Sequence, residues 1–164
     1  MVVALGGCAL GTTPPPPGST SPSWQSELLS AAAGGGDSGD RQSYNAVFSP
    51  DGTMVAFQTE ASNLGPADTN QLQDIYVRDL DSNDTILVSR ASGADGVKAN
   101  EASFPPDISA DGRFVAFGSE ATNLTADQPT VAQVYVRDLA TSTTTLVSRE
   151  TGAAGAPADS AGSL

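Results

Sequence analysis

The 164-residue chain contains no histidine and one cysteine, Cys8, and it sets 7 basic residues against 19 acidic ones. Without imidazole, no side chain has an ordinary pKa near neutrality, and triads built on histidine are excluded together with the commonest metal ligand. A single cysteine rules out an intrachain disulfide and a cysteine-rich zinc site. The net charge of −12 and pI near 4.1 disfavour a basic groove for phosphates, so no nucleic-acid partner is expected. No apolar run approaches the roughly 18 residues of a membrane span. No segment carries a helical period, and no cofactor motif is present.

The first forty residues are mostly Gly, Pro, Ser, Thr and Ala, a composition unable to bury enough apolar surface to order itself. Residues 1–23, MVVALGGCALGTTPPPPGSTSPS, resemble the end of a bacterial lipoprotein signal. The resemblance makes Leu5-Gly6-Gly7-Cys8 the lipobox and Cys8 the lipidated residue. Only Val2 to Leu5 precede the glycines, shorter than the roughly 7–15 apolar residues of a signal and without its basic start. Two readings therefore stand: a signal that starts upstream, or a tail that carries a cysteine. Pro14 to Pro17 favour extended polyproline II amid flexible Gly, Ser and Thr, a spacer between a surface and a domain. Membrane contact is then expected through the lipid alone.

The rest of the chain repeats itself. FSPDGTMVAFQTEASNL (48–64) returns as ISADGRFVAFGSEATNL (108–124), IYVRDL as VYVRDL, and LVSRASG as LVSRETG, at offsets of 60 and then 59 residues. A long fixed period marks a repeat architecture whose units bury their faces on one another. Each unit reads as four strands: 46–49, 54–58, 75–78 and 86–89 in the first, and 107–109, 114–118, 134–137 and 145–148 in the second. Asp51-Gly52 and Asp111-Gly112 read as tight turns, with Asp accepting backbone N–H bonds and Gly taking positive φ. The strands MVAF, FVAF and VYVR are apolar on nearly consecutive positions, the pattern of a sheet covered on both faces.

These motifs resemble the TolB-type, WD-like β-propeller repeats of bacteria, over residues 43–149. The resemblance implies an all-β fold of two four-stranded antiparallel blades, an incomplete or truncated propeller. The expected organisation is the signal-like segment and linker (1–23), an outer closing strand and Gly-rich linker (24–42), blade 1 (43–90), the inter-blade loop and blade 2 (91–149), and the start of a third, disordered repeat (150–164). Residues 27–30 are expected to close the ring by pairing with the last blade. Two blades leave faces uncovered, so either the chain belongs to a longer propeller or copies assemble, for instance three chains in a six-bladed ring.

The loops between second and third strands and those between blades are expected at one end of the blades, where binding usually lives. The candidate binding residues there are Asn63, Asp68, Asn70 and Asp74 of blade 1 and Asn123 and Asp127 of blade 2. For Asn63 and Asn123 the simpler reading is a loop cap. Asp68, Asn70 and Asp74 offer oxygen ligands of the kind calcium takes, but the spacing lacks a calcium loop's glycine and terminal Glu, and a solvated acidic turn is the plainer reading. Arg78-Asp79 and Arg137-Asp138 occur in both units, which favours a structural role, since a catalytic residue is needed once per site.

The function expected is a non-catalytic binding or scaffold module of the cell envelope, periplasmic or extracellular, with a protein or glycan partner at the loop end. The alternative is a fragment of a propeller-containing extracellular hydrolase or polysaccharide lyase. Glycosidases need two carboxyls about 5–9.5 Å apart, and the equivalent Glu60 and Glu120 are better explained as architecture.

Overall fold

In a computed structural model, the residues described are 2–4, 26–34, 36–65, 70–151 and 155–158. Cys8, Asp68 and most of the 150–164 tail lie outside them. The fold is all-β, and the described residues contain no helix. Its elements are β1 (Val2–Ala4), β2 (Ser26–Leu28), β3 (Ser43–Phe48), β4 (Met54–Thr59), β5 (Asp74–Asp79), β6 (Thr85–Leu87), β7 (Asp107–Ile108), β8 (Phe114–Ser119), β9 (Gln133–Asp138) and β10 (Thr143–Leu146).

Strands β3 to β6 form one four-stranded antiparallel sheet and β7 to β10 another, each in sequence order. These are two propeller-type blades. Their central pairs run in the same register, with Phe57 opposite Tyr76 in blade 1 and Phe117 opposite Tyr135 in blade 2. The rings stack at 6.2 Å and 5.8 Å between centroids.

The SxDG turns close the β3–β4 and β7–β8 hairpins. Asp51 Oδ1 accepts from Ser49 Oγ, Thr53 N and Thr53 Oγ1, and Asp111 Oδ1 from Ser109 Oγ and Arg113 N. Gly52 and Gly112 follow at φ 76° and 70°, a region that costs a Cβ-bearing residue about 1–2 kcal/mol. These bonds favour the ionised carboxylates and hold both acids below their usual pKa, the serine hydroxyls contributing most.

The fourth strands begin and end earlier in the chain than the sequence pattern indicates. A serine hydroxyl replaces the next ladder bond: Ser89 Oγ accepts from Ile75 N, and Ser148 Oγ from Val134 N. The main chain folds over at that point, with the N–H groups of Val88 and Ser89 both on Ile75 O, and those of Val147 and Ser148 both on Val134 O.

The two blades pack face to face. Ala56, Ile75, Val77 and Val88 of blade 1 share one buried cluster with Val115, Phe117, Tyr135 and Leu146 of blade 2. Phe57, Ala61, Leu64, Tyr76 and Leu87 form a second cluster on the opposite face of blade 1. Each fully buried Val, Leu, Ile or Phe of these clusters contributes roughly 1.5–3 kcal/mol.

One expected pairing is different. β2 overlaps residues 27–30, but its ladder runs with β1, Val2 opposite Leu28, and not with blade 2. Blade 2 already has its own fourth strand, β10, on β9. The β1–β2 ladder repeats the register of β5–β6: Leu28 stands where Leu87 stands, 59 residues on.

Candidate functional site

The β4–β5 and β8–β9 loops and the inter-blade segments meet at one end of the blades. Asn63 Oδ1 accepts from Asp40 N while its Nδ2 donates to Ser38 O; Asn123 does the same with Asn100 N and Lys98 O, at 2.8–3.1 Å throughout. Each asparagine thus ties its loop to the segment leading into its own blade. Both side chains act on backbone, as loop caps do.

Asn70 and Asp74 are brought together, around Lys98. The Lys98 Nζ lies 2.5 Å from Asp74 Oδ2 and 3.1 Å from Asn70 Oδ1. Asp74 Oδ1 accepts from Ser89 Oγ, and Asn70 Nδ2 donates to Ala99 O. The Asp74 side chain is 1% exposed, so its charge is balanced inside the protein by the chain's single lysine. An ammonium stands where a calcium reading of Asn70 and Asp74 needs a cation. Blade 2 solves the same place without charge: Gln133 replaces Asp74, donating to Ala158 O and accepting from Ser148 Oγ.

Asp127 is separate from that cluster. Its Oδ2 takes Arg149 Nη2 at 2.7 Å and Thr125 Oγ1 at 3.1 Å, fastening the β8–β9 loop to the segment after β10. Beside it lies a recess of about 380 Å³ lined by Ala91, Ser92, Asn123, Thr125, Ala126 and Thr144. Glu60 is held by Tyr44 Oη and Gln73 Nε2, in keeping with an architectural role. Among the described residues no three acidic or cysteine side chains converge as metal ligands.

The repeated arginines join the third strands to segments more than forty positions earlier in the sequence. Arg78 is 2% exposed and donates through Nη1 to Ala31 O, Ala32 O and Thr85 Oγ1, and through Nη2 to Asn83 Oδ1. Arg137 repeats this with Arg90 O, Ala91 O, Thr144 Oγ1 and, through Nη2, Gly93 O. Each blade therefore grips the segment that precedes it. Burial lowers the Arg137 pKa, helped by Arg90, yet the planar guanidinium is the group whose fork matches several carbonyls at once.

The neighbouring aspartates act elsewhere. Asp79 and Asp138 accept N–H bonds from the following turn, at Asp81 and Ser82 and at Ala140 and Thr141. Asp138 also takes both Nε and Nη2 of Arg113, and this fork holds its carboxyl far below the usual carboxylate range. The sequence signal for the arginine grip was the VRDL repeat itself; its acceptors in the preceding segment are main-chain carbonyls, which no residue type announces.

No family model matches the chain, and no curated protein matches it. Among solved structures it is similar to TolB from Acinetobacter baumannii, at 18% identity and a TM-score of 0.40 over 68% of this chain. The chain spans 22% of the length of that protein.

Proposed function

We propose that the protein is a non-catalytic, propeller-type binding or scaffold module of the bacterial cell envelope, TolB-like in its repeats, which meets a protein or glycan partner at the loop end. The observation that carries this reading is how that end is built. Asp74 is neutralised by Lys98 and Asp127 by Arg149, while both asparagines brace backbone. Such bracing of the described loop residues lowers the ordering cost of binding, and it commits Asp74 and Asp127 to structure. The recess beside Asn123, lined also by Ser92, Thr125 and Ala126, carries no charged side chain and is the concave surface a neutral partner group would enter.

Envelope attachment rests on Cys8 and its small neighbours in the sequence. The lipid is the module's only contact with the membrane. Labelled palmitate should enter the wild-type chain in a bacterial host and fail to enter Cys8→Ser.

Binding is tested by co-sedimentation with isolated envelope fragments and with purified peptidoglycan. Ala126→Arg, at the recess, should weaken retention at least tenfold, whereas Ser82→Arg, at the opposite end of the blades, should leave it unchanged. Equal retention of the two variants would remove the loop-end assignment. Release of soluble sugar from the pelleted polymer would favour the hydrolase or lyase reading instead.

A further inference from the structure

The sequence contains three Asp-Gly pairs, Asp51-Gly52, Asp95-Gly96 and Asp111-Gly112. Glycine has no Cβ to shield its amide nitrogen or to restrict its backbone, so in this dipeptide the nitrogen reaches the preceding carboxyl carbon most readily. The three pairs are held very differently.

In the two hairpin turns both reacting groups are tied down. Asp51 Oδ1 accepts from Ser49 Oγ, Thr53 N and Thr53 Oγ1, and Asp111 Oδ1 from Ser109 Oγ and Arg113 N. Gly52 N donates to Ser49 O at 2.8 Å, and Gly112 N to Ser109 O at 3.0 Å. The side-chain bonds keep both carboxyls ionised, and a carboxylate is a poor acyl group because its oxygen leaves only after protonation.

The third pair, in the inter-blade segment, lacks these ties. Asp95 is exposed, and among the described residues no group donates to its carboxylate. Gly96 N reaches Gly93 O only at 3.3 Å. The main chain around the pair is nevertheless closed tightly. Ala91 N donates to Val97 O at 2.9 Å, and Arg90 Nε clasps Gly96 O at 2.9 Å. A Cβ on Gly96 would lie 2.1 Å from Ala91 O, so the closure needs the bare backbone of glycine.

From this contrast we propose that Asp95-Gly96 is a site of spontaneous isoaspartate formation, a covalent modification that opens the clasp between Arg90 and Gly96. Gly96 N attacks Asp95 Cγ; the N–Cγ bond forms, the Cγ–OH bond breaks, and water leaves with the amide proton. A second water opens the five-membered succinimide at the Asp95 main-chain carbonyl, which becomes the free carboxylate, while the chain runs on through Cβ and Cγ. Water is the only co-reactant, and the negative charge is kept. The main chain is longer by one carbon, which displaces Gly96 O from Arg90 Nε and undoes the closure of Ala91 on Val97. The inference rests on no ligand at the loop end, so loss of envelope binding leaves it untouched.

The folded chain is aged in mildly acidic buffer and digested with trypsin, which places the three pairs in separate peptides, 42–78, 91–98 and 99–113. Isoaspartate, read by electron-transfer fragmentation, should accumulate in 91–98 faster than in the other two by about tenfold or more, since those react only through local opening. Ageing in guanidinium chloride should abolish the preference. Equal native rates at the three pairs, or a preference for 91–98 that persists in the unfolded chain, would overturn the assignment. The aged wild-type chain should also unfold at a lower denaturant midpoint than the fresh one. Asp95→Glu, whose longer side chain cannot close the five-membered ring, should keep its midpoint through the same ageing. Equal losses in the two chains, or none in either, would overturn the opening of the clasp.

Discussion

Blade 1 and blade 2 are written in nearly the same residues and are solvated differently. The central strands of blade 1, MVAFQT and DIYVRD, are buried at almost every position. Their counterparts FVAFGS and QVYVRD alternate between buried and more open positions. Hydrophobic sequence thus specifies what a face is fit for, and the neighbour present decides whether it is used. A consecutive apolar run in a strand reports a design for two covered faces, and in blade 2 one of the two is open.

The comparison is broken most severely at the charged cluster that only blade 1 has. Lys98→Met leaves Asp74 buried without its ammonium and is expected to cost about 3–5 kcal/mol in urea unfolding. Importing the neutral solution of blade 2, Asp74→Gln together with Lys98→Met, should restore most of that loss, a coupling that a double-mutant cycle measures directly. Next in size is the paired truncation of equivalent residues. Ile75→Ala should cost about 2–4 kcal/mol, and Val134→Ala less than about 0.5 kcal/mol, as for an exposed surface change.

Glycine substitutions in the two turns sharpen the same contrast. Both positions have positive φ, but a Cβ at Gly52 meets nothing within 4 Å while one at Gly112 runs into Met54. Gly52→Ala should cost about 1 kcal/mol, and Gly112→Ala clearly more, because it also disturbs the blade interface. Chemical denaturation of the two variants side by side reads the difference.

The smallest effect concerns pH. Asp138 is pushed below its usual pKa by Arg113, so its contribution to stability is complete above the unfolded-state value of about 3.9 and is lost as pH falls below it. Asp51 and Asp111 shift in the same direction and add to the same acid limb. Asp138→Asn should therefore flatten the fall in stability below about pH 4. It is expected to leave the slope between pH 6 and 8 unchanged.

Much of the fold was legible because repetition supplied an internal control. Two occurrences of SxDG, VAF and VRDL placed the hairpins and the central strands, and the invariance of the turn aspartates in both units pointed to structure over chemistry. The strand ends were less legible, since a serine hydroxyl on Ile75 N or Val134 N ends the ladder where hydrophobicity continues. The β1 partner of β2 was not legible, because a fourth-strand motif is the same whether its partner is a last blade or a local strand. At the loop end, the residue types were readable but their partners were not. Lys98 lies 24 positions after Asp74, and only the folded chain brings its ammonium onto that carboxylate.

The central claim, that blade 1 is covered on the face that blade 2 leaves open, is tested most directly by thiol accessibility. In a Cys8→Ser background, maleimide labelling rates are compared for Ile75→Cys and Val134→Cys under native conditions. The account predicts labelling of Val134→Cys at close to the rate of an exposed thiol, and labelling of Ile75→Cys only through unfolding. Comparable native rates at the two positions would contradict it.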